Sequence, residues 1–159
     1  MKYKKILFVC SGNQCRSPMA EAIFRDMVAK DSELRSVGID VKSAGTLIGI
    51  DGKSATNEAI TVMHEHGIDL RQHKAKHINL ELVTWADITL VMEPKHEFYI
   101  AELFTSATKK VHLLTQFVGE QGYVADPIGL GLDAYRQCAD QLLILLTLLK
   151  KQIQQQYIP

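Results

Sequence analysis

Apolar and polar positions run along this chain in short blocks whose period changes, and the changes mark its elements. A β-type apolar run at Lys4 to Val9 meets a polar loop. Met19, Ala22, Ile23 and Met27 then recur at helical spacing through about Lys30, with Pro18 where a first helical residue tolerates proline. A second strand is predicted at Asp40 to Ser43, ended by Ala44-Gly45, and a helix from Ala55 to Glu65, closed by Gly67. Trp85 to Met92 mixes signals, with Ile88, Leu90 and Val91 as its buried strand and Pro94 as its stop. Helix returns at Lys95 to Leu103, strand at Lys110 to Leu113, and a long helix runs from Leu132 to Gln156. Strands alternating with helices predict a three-layer α/β fold, a central four-stranded parallel sheet with helices on both faces, with ligands beyond the carboxyl ends of the strands.

Two stretches could imitate membrane or targeting segments. Lys2, Lys4 and Lys5 precede an apolar run, but Ile6 to Cys10 is too short for a signal-peptide core and polar Ser11, Asn13 and Gln14 follow it. From Leu142 to Leu149 seven of eight residues are Leu or Ile; about 20 residues are needed to span a bilayer. This stretch is expected to be a helix buried on most sides, with a homodimer through one face as the alternative. No repeat or linker divides the 159 residues, so a single domain over 1–159 is expected.

Composition narrows the function classes. Lys+Arg and Asp+Glu both number 18 and the sequence pI is near 7, which gives no broad field for nucleic acid or an anionic membrane; a hydrophobic content of 47% argues against disorder. Cys10, Cys15 and Cys138 are odd in number and fit neither a disulfide framework nor a zinc pattern, so a reduced, cytoplasmic protein is expected.

The chemistry concentrates in the loop after the first strand, Cys10-Ser11-Gly12-Asn13-Gln14-Cys15-Arg16-Ser17-Pro18. Gly12 and Asn13 both tolerate φ > 0, which lets such a turn aim successive N–H groups inward. A nest of this kind before a helix N-terminus binds a tetrahedral oxyanion, and the fork of Arg16 adds two donors to the same anion. The expected phosphate-binding set is therefore Ser11, Gly12, Asn13, Gln14, Cys15, Arg16 and Ser17. Cys10 lies at the bottom of the cup, where these groups favour the nucleophilic thiolate and the Ser17 hydroxyl can donate to sulfur. An isolated cysteine at a strand end would be a buried filler; its neighbours change that reading. No Walker-type or dinucleotide-type glycine loop competes for the anion.

The string C-x-G-N-x-C-R-S-P closely resembles the low-molecular-weight protein tyrosine phosphatase family. Its seven fixed letters match by chance about once in a billion positions. The resemblance continues through Ser43-Ala44-Gly45-Thr46, His66-Gly67-Ile68, Ala86-Asp87 before Leu90-Val91-Met92, and Asp126-Pro127 before the last helix. It implies that Cys10 is the nucleophile, that Arg16 binds the phosphoryl group, that Asp126 is the general acid, and that Asn13, Ser17, Ser43 and His66 support the loop. Taken alone, Asp126-Pro127 is a turn or cap, and His66 a helix-end cap. The resemblance also implies a phosphocysteine intermediate, a phosphorylated protein as substrate, and neither metal nor cofactor. For Cys15 it implies a reversible disulfide with Cys10, against the plain alternative of a small buried filler; Cys138 reads as core.

Departures fall where substrate is chosen. Eukaryotic-type members carry aromatic residues after Asp-Pro; here Ile128-Gly129 follow, leaving Tyr135 or Phe98 as stand-ins. Gln14 replaces an apolar residue common in tyrosine-specific members and offers a polar group to a guanidinium. Phosphotyrosine is the leading substrate and phosphoarginine, the substrate of some bacterial members, the rival. Arsenate reductase is disfavoured because Glu93 to Leu103 lacks cysteine, and a non-catalytic phosphopeptide module because Cys10 and Asp126 are both retained.

Overall fold

The computed structural model describes residues 2–157. Strand β1 (Lys5–Cys10) leads into α1 (Arg16–Ala29) and a short α2 (Ser32–Val37), and β2 (Asp40–Gly45) is followed by α3 (Asn57–Glu65) and α4 (Leu80–Trp85). Then come β3 (Ile88–Val91), α5 (Pro94–Leu103), a 3₁₀ turn (Thr105–Lys110), β4 (Val111–Leu113), α6 (Leu114–Phe117) and α7 (Leu132–Tyr157). The four strands are all parallel in the order β2-β1-β3-β4. The chain leaves β1 toward β2 on one side and later returns to β3 on the other, so the carboxyl end of β1 lies at the point where strand order reverses.

Strand periodicity divides the core in two. Ile6, Phe8 and Cys10 point into one cluster with Met19, Ile23 and Phe24 of α1 and Leu142, Leu145, Leu146 and Leu149 of α7. Leu7 and Val9 point into the other, with Leu82 and Val83 of α4 and Ile100 of α5. Cys10 thus sits on the α1 and α7 side of the sheet.

Several boundaries differ from the sequence expectation for identifiable reasons. Helix α1 begins at Arg16, two residues before Pro18, so Arg16 and Ser17 are part of its first turn. Strand β2 runs on through Ala44 and Gly45 because they pair with Val9 and Cys10. The unforeseen α2 and α4 bury only Leu34 and the pair Leu82 and Val83 respectively, too few to give a period; side-chain caps from Asp31 and Asn79 start them. The Leu142–Leu149 stretch buries a single stripe, not most sides: Leu143 and Leu148 are half-buried and Ile144 is exposed. Among the described residues no helix is long and apolar enough to cross a membrane.

Candidate active site

Five residues, 11–15, connect β1 to α1, and neighbouring backbone clamps the strand end they leave. Thr46 and Leu47 donate N–H groups to the carbonyls of Cys10 and Ser11, and Met92 donates to that of Val9. Gly45 is required here, since a Cβ on it would lie 2.6 Å from Ser11 O and 2.9 Å from Asn13 N, both backbone atoms unable to yield. The left-handed residue in the loop is Asn13, with φ 51°, not Gly12. Asparagine holds that conformation because its side chain is fully engaged: Nδ2 donates to Ser17 Oγ (2.8 Å) and Ser43 Oγ (2.9 Å), and Oδ1 accepts the Lys76 N–H (2.9 Å). His73 Nε2 donates to the Asn13 carbonyl at 2.7 Å.

Cys10 is buried, its Sγ 3.0 Å from Ser17 Oγ, and that hydroxyl also reaches Ala44 O at 3.3 Å. The pair suits both states of the sulfur. A thiol donates to Ser17 while Ser17 donates to Ala44; a thiolate receives the Ser17 proton instead. Cys15 stands at the N-cap of α1 and supplies no side-chain cap, and no acidic residue occupies the first turn, which leaves the positive end of a 14-residue helix facing the loop.

Arg16 is 1% exposed. Nη1 is held by the Glu93 carboxylate and by Val124 O at 2.9 Å, while Nη2 lies 3.5 Å from both Ser11 Oγ and Asp126 Oδ2. Burial works against its charge, but Cys10, Glu93 and Asp126 outweigh burial and hold the guanidinium more firmly protonated than usual. Its Nε is buried and without a partner among the described residues. An unpaired buried donor on a charged group is costly, and an oxyanion in the cup would satisfy it.

Asp126 belongs to the segment entering α7. Val124 anchors that segment by donating to Met92 O and accepting from Arg16, so the guanidinium ties the Asp126 loop to the cup. Asp126 Oδ1 accepts from Ile128 N (3.1 Å) and from Cys15 Sγ (3.7 Å); Oδ2 is the oxygen near Arg16. Burial first, then the nearby Cys10 and Asp126, push the Cys15 thiol up to about 12, which keeps it protonated as a donor to that carboxylate. Cys138 is a core residue whose thiol burial also pushes up to about 12.

Of the residues expected at the site, Cys10, Ser11, Gly12, Asn13, Gln14, Cys15, Arg16, Ser17, Ser43 and Asp126 come together around one cup. His66 does not: it is exposed and caps α3, and the imidazole that braces the Asn13 backbone is His73. Glu93 and His96 were also missed. They hold Arg16 and Ser11 from the N-cap and first turn of α5, and nothing in the sequence marked them beyond following a buried strand. Tyr135 is in the core and offers no face to a substrate, whereas Phe98 is exposed on α5. Ile128 is 57% exposed. Among the described residues no three His, Cys, Asp or Glu side chains are grouped as a metal would need.

Residues 5–157 match the model of the low molecular weight phosphotyrosine protein phosphatase family. The chain is similar to a protein-arginine-phosphatase of Bacillus subtilis, 40% identical over 149 residues, covering 93% of this chain and 95% of that protein. It is also similar to the low molecular weight protein-tyrosine-phosphatase PtpB of Staphylococcus haemolyticus, 34% identical over 89% of this chain and 94% of that one. Among solved structures, a cysteine-to-serine mutant of the YwlE arginine phosphatase with a phosphorylated active-site serine superposes with a TM-score of 0.86 at 38% identity, covering 94% of this chain and 95% of the other.

Proposed function

The chain belongs to the low molecular weight phosphotyrosine protein phosphatase family, a family of cysteine-dependent hydrolases, and from that premise we propose that its cup hydrolyses phosphotyrosine in proteins through a phosphocysteine. The observation that carries the reading is the buried Arg16 with its unpartnered Nε, set at a helix start beside the Cys10 thiol and braced by Glu93.

In the first step the Cys10 thiolate attacks phosphorus in line, the P–O ester bond breaks, and its electron pair goes to the phenolic oxygen, which takes a proton from Asp126. In the second, the Asp126 carboxylate removes a proton from water, the water oxygen attacks phosphorus, and the P–S bond breaks to return the thiolate. The loop N–H groups and Arg16 hold the equatorial oxygens through both transition states, and Ser17 supports the departing thiolate. The phosphorylated serine in the YwlE mutant is a precedent for phosphoryl transfer onto that position in a relative.

One contact favours phosphoarginine as a second reading. The Gln14 amide donates through Nε2 to Ser54 O at 3.0 Å, which turns Oε1 toward Gly12 and offers an acceptor to guanidinium N–H groups that a phenyl ring lacks. Matched phosphotyrosine and phosphoarginine peptides separate the two: a higher kcat/KM on phosphotyrosine supports the leading reading, and a strong preference for phosphoarginine replaces it. Activity surviving Cys10→Ser would sink both.

A further inference from the structure

The hydrogen bonds on the α5 side of the cup determine where each proton there resides. His96, in the first turn of α5, is buried, and its Nδ1 accepts the Glu93 N–H at 3.1 Å. A backbone N–H can only donate, so Nδ1 carries no proton. A neutral imidazole has one N–H, which is therefore on Nε2, and Nε2 lies 2.8 Å from Ser11 Oγ. Burial, reinforced by the Arg16 charge, pushes the imidazole down to about 4, so this tautomer persists through neutral pH. Ser11 Oγ consequently accepts from His96, and Arg16 Nη2 at 3.5 Å is a second, weaker donor to it. With its acceptor side occupied, the hydroxyl has its own hydrogen left to give. Two donors 3.5 Å apart can share one oxygen at about 2.8 Å from each.

We infer that the Ser11 hydroxyl is a further donor to the phosphoryl group, sharing one oxygen with Arg16 Nη2, and that His96 is the positioning residue that turns the Ser11 hydrogen toward it. This rests on the phosphatase reading and adds a side-chain role to a residue otherwise expected to offer only its backbone. It also makes the start of α5 a brace with two arms, Glu93 on Arg16 and His96 on Ser11. No proton is transferred; both contacts are hydrogen bonds that strengthen as charge gathers on the equatorial oxygens.

The test is a cycle of Ser11→Ala, His96→Leu and the double variant, with His96→Gln as the conservative partner whose amide N–H can replace Nε2–H. Turnover of para-nitrophenyl phosphate by the unmodified protein checks the phosphatase reading by itself; its absence would refute that reading whatever Ser11 does. Ser11→Ala is expected to lower kcat/KM about tenfold and to weaken inhibition by orthophosphate by a similar factor. His96→Leu should lose as much, the double variant no more than either single, and His96→Gln should recover most of the activity, all with melting curves recorded alongside. Ser11→Ala within twofold of the unmodified protein in both readouts overturns the donor role. Losses that add in the double variant, or a folded His96→Gln as slow as Ser11→Ala, overturn the positioning role.

Discussion

Asn13 and Ile128 belong to loops of the same site, yet the molecule holds them in opposite ways. Asn13 is buried, in a left-handed conformation, and joined through its amide and carbonyl to Ser17, Ser43, His73 and Lys76. Ile128 is mostly exposed, and its N–H makes only a local hydrogen bond, to the Asp126 carboxylate. The difference matches the roles proposed for the two loops. Donors that stabilise a phosphoryl transition state act only if they do not reorganise, which demands burial and saturated hydrogen bonding. Side chains that recognise the residue carrying the phosphate sit at the mouth, where they can change without disturbing the cup.

The sharpest way to break this contrast is Arg16→Lys. A point-charge ammonium cannot hold Glu93 and Val124 and still present a fork, so kcat/KM on para-nitrophenyl phosphate should fall about 10³-fold. A loss below tenfold would mean the cup tolerates loosening. Asp126→Asn should lower kcat on a phosphotyrosine peptide about 10²-fold while orthophosphate inhibition is retained; loss of anion binding as well would show that the two loops cannot be separated. Asn13→Ala is expected to cost about 2–4 kcal/mol in urea unfolding, from its buried partners and its backbone conformation.

A smaller effect comes through pH. His96 is held down to about 4, chiefly by burial, whereas the unfolded chain protonates it near 6.5. The unfolded state therefore binds the extra proton first. Stability that is present above about 6.5 is lost as pH falls toward 4, with no further loss from this group below that. Between pH 7 and 4.5, His96→Gln should lose less melting temperature than the unmodified protein; parallel losses would contradict the assignment. The smallest change should be Ile128→Tyr, which adds an aromatic surface at the mouth. The ratio of kcat/KM on phosphotyrosine to phosphoarginine peptides is expected to rise about three- to tenfold, with the melting temperature unchanged. A drop in melting temperature comparable to that of Asn13→Ala would erase the distinction between the two loops.

What could be read from the sequence is what the chain places near itself. Cys10, Asn13, Arg16 and Ser17 lie within one strand-loop-helix turn, so their residue types and closeness imply a thiol, a guanidinium and a hydroxyl around one centre, in a loop that tolerates φ > 0 at Gly12 or Asn13. Long strands and helices with several buried residues were equally legible, while α2 and α4 were not, because each is six residues long and buries only one or two side chains, too few to set a period. His66 and His73 show where local reading ends. Both follow α3, but His66 stays at its exposed end, while the segment after His73 runs beside β2, bridging Gly45 to His77, and brings His73 under Asn13.

The sequence by itself determined the strand-loop-helix turn that carries Cys10 and Arg16, the alternation of strands and helices, and hence the edge of the sheet where the candidate cup lies. Only the tertiary structure decided that Glu93 and His96 brace Arg16 and Ser11, that Lys76 and His73 complete Asn13, and that Asp126 meets the cup through Val124 and Arg16. These partners lie tens of residues apart in the chain. Parallel strands joined by helical crossovers bring them together, and no local periodicity encodes which distant polar side chain a crossover will deliver to which buried donor.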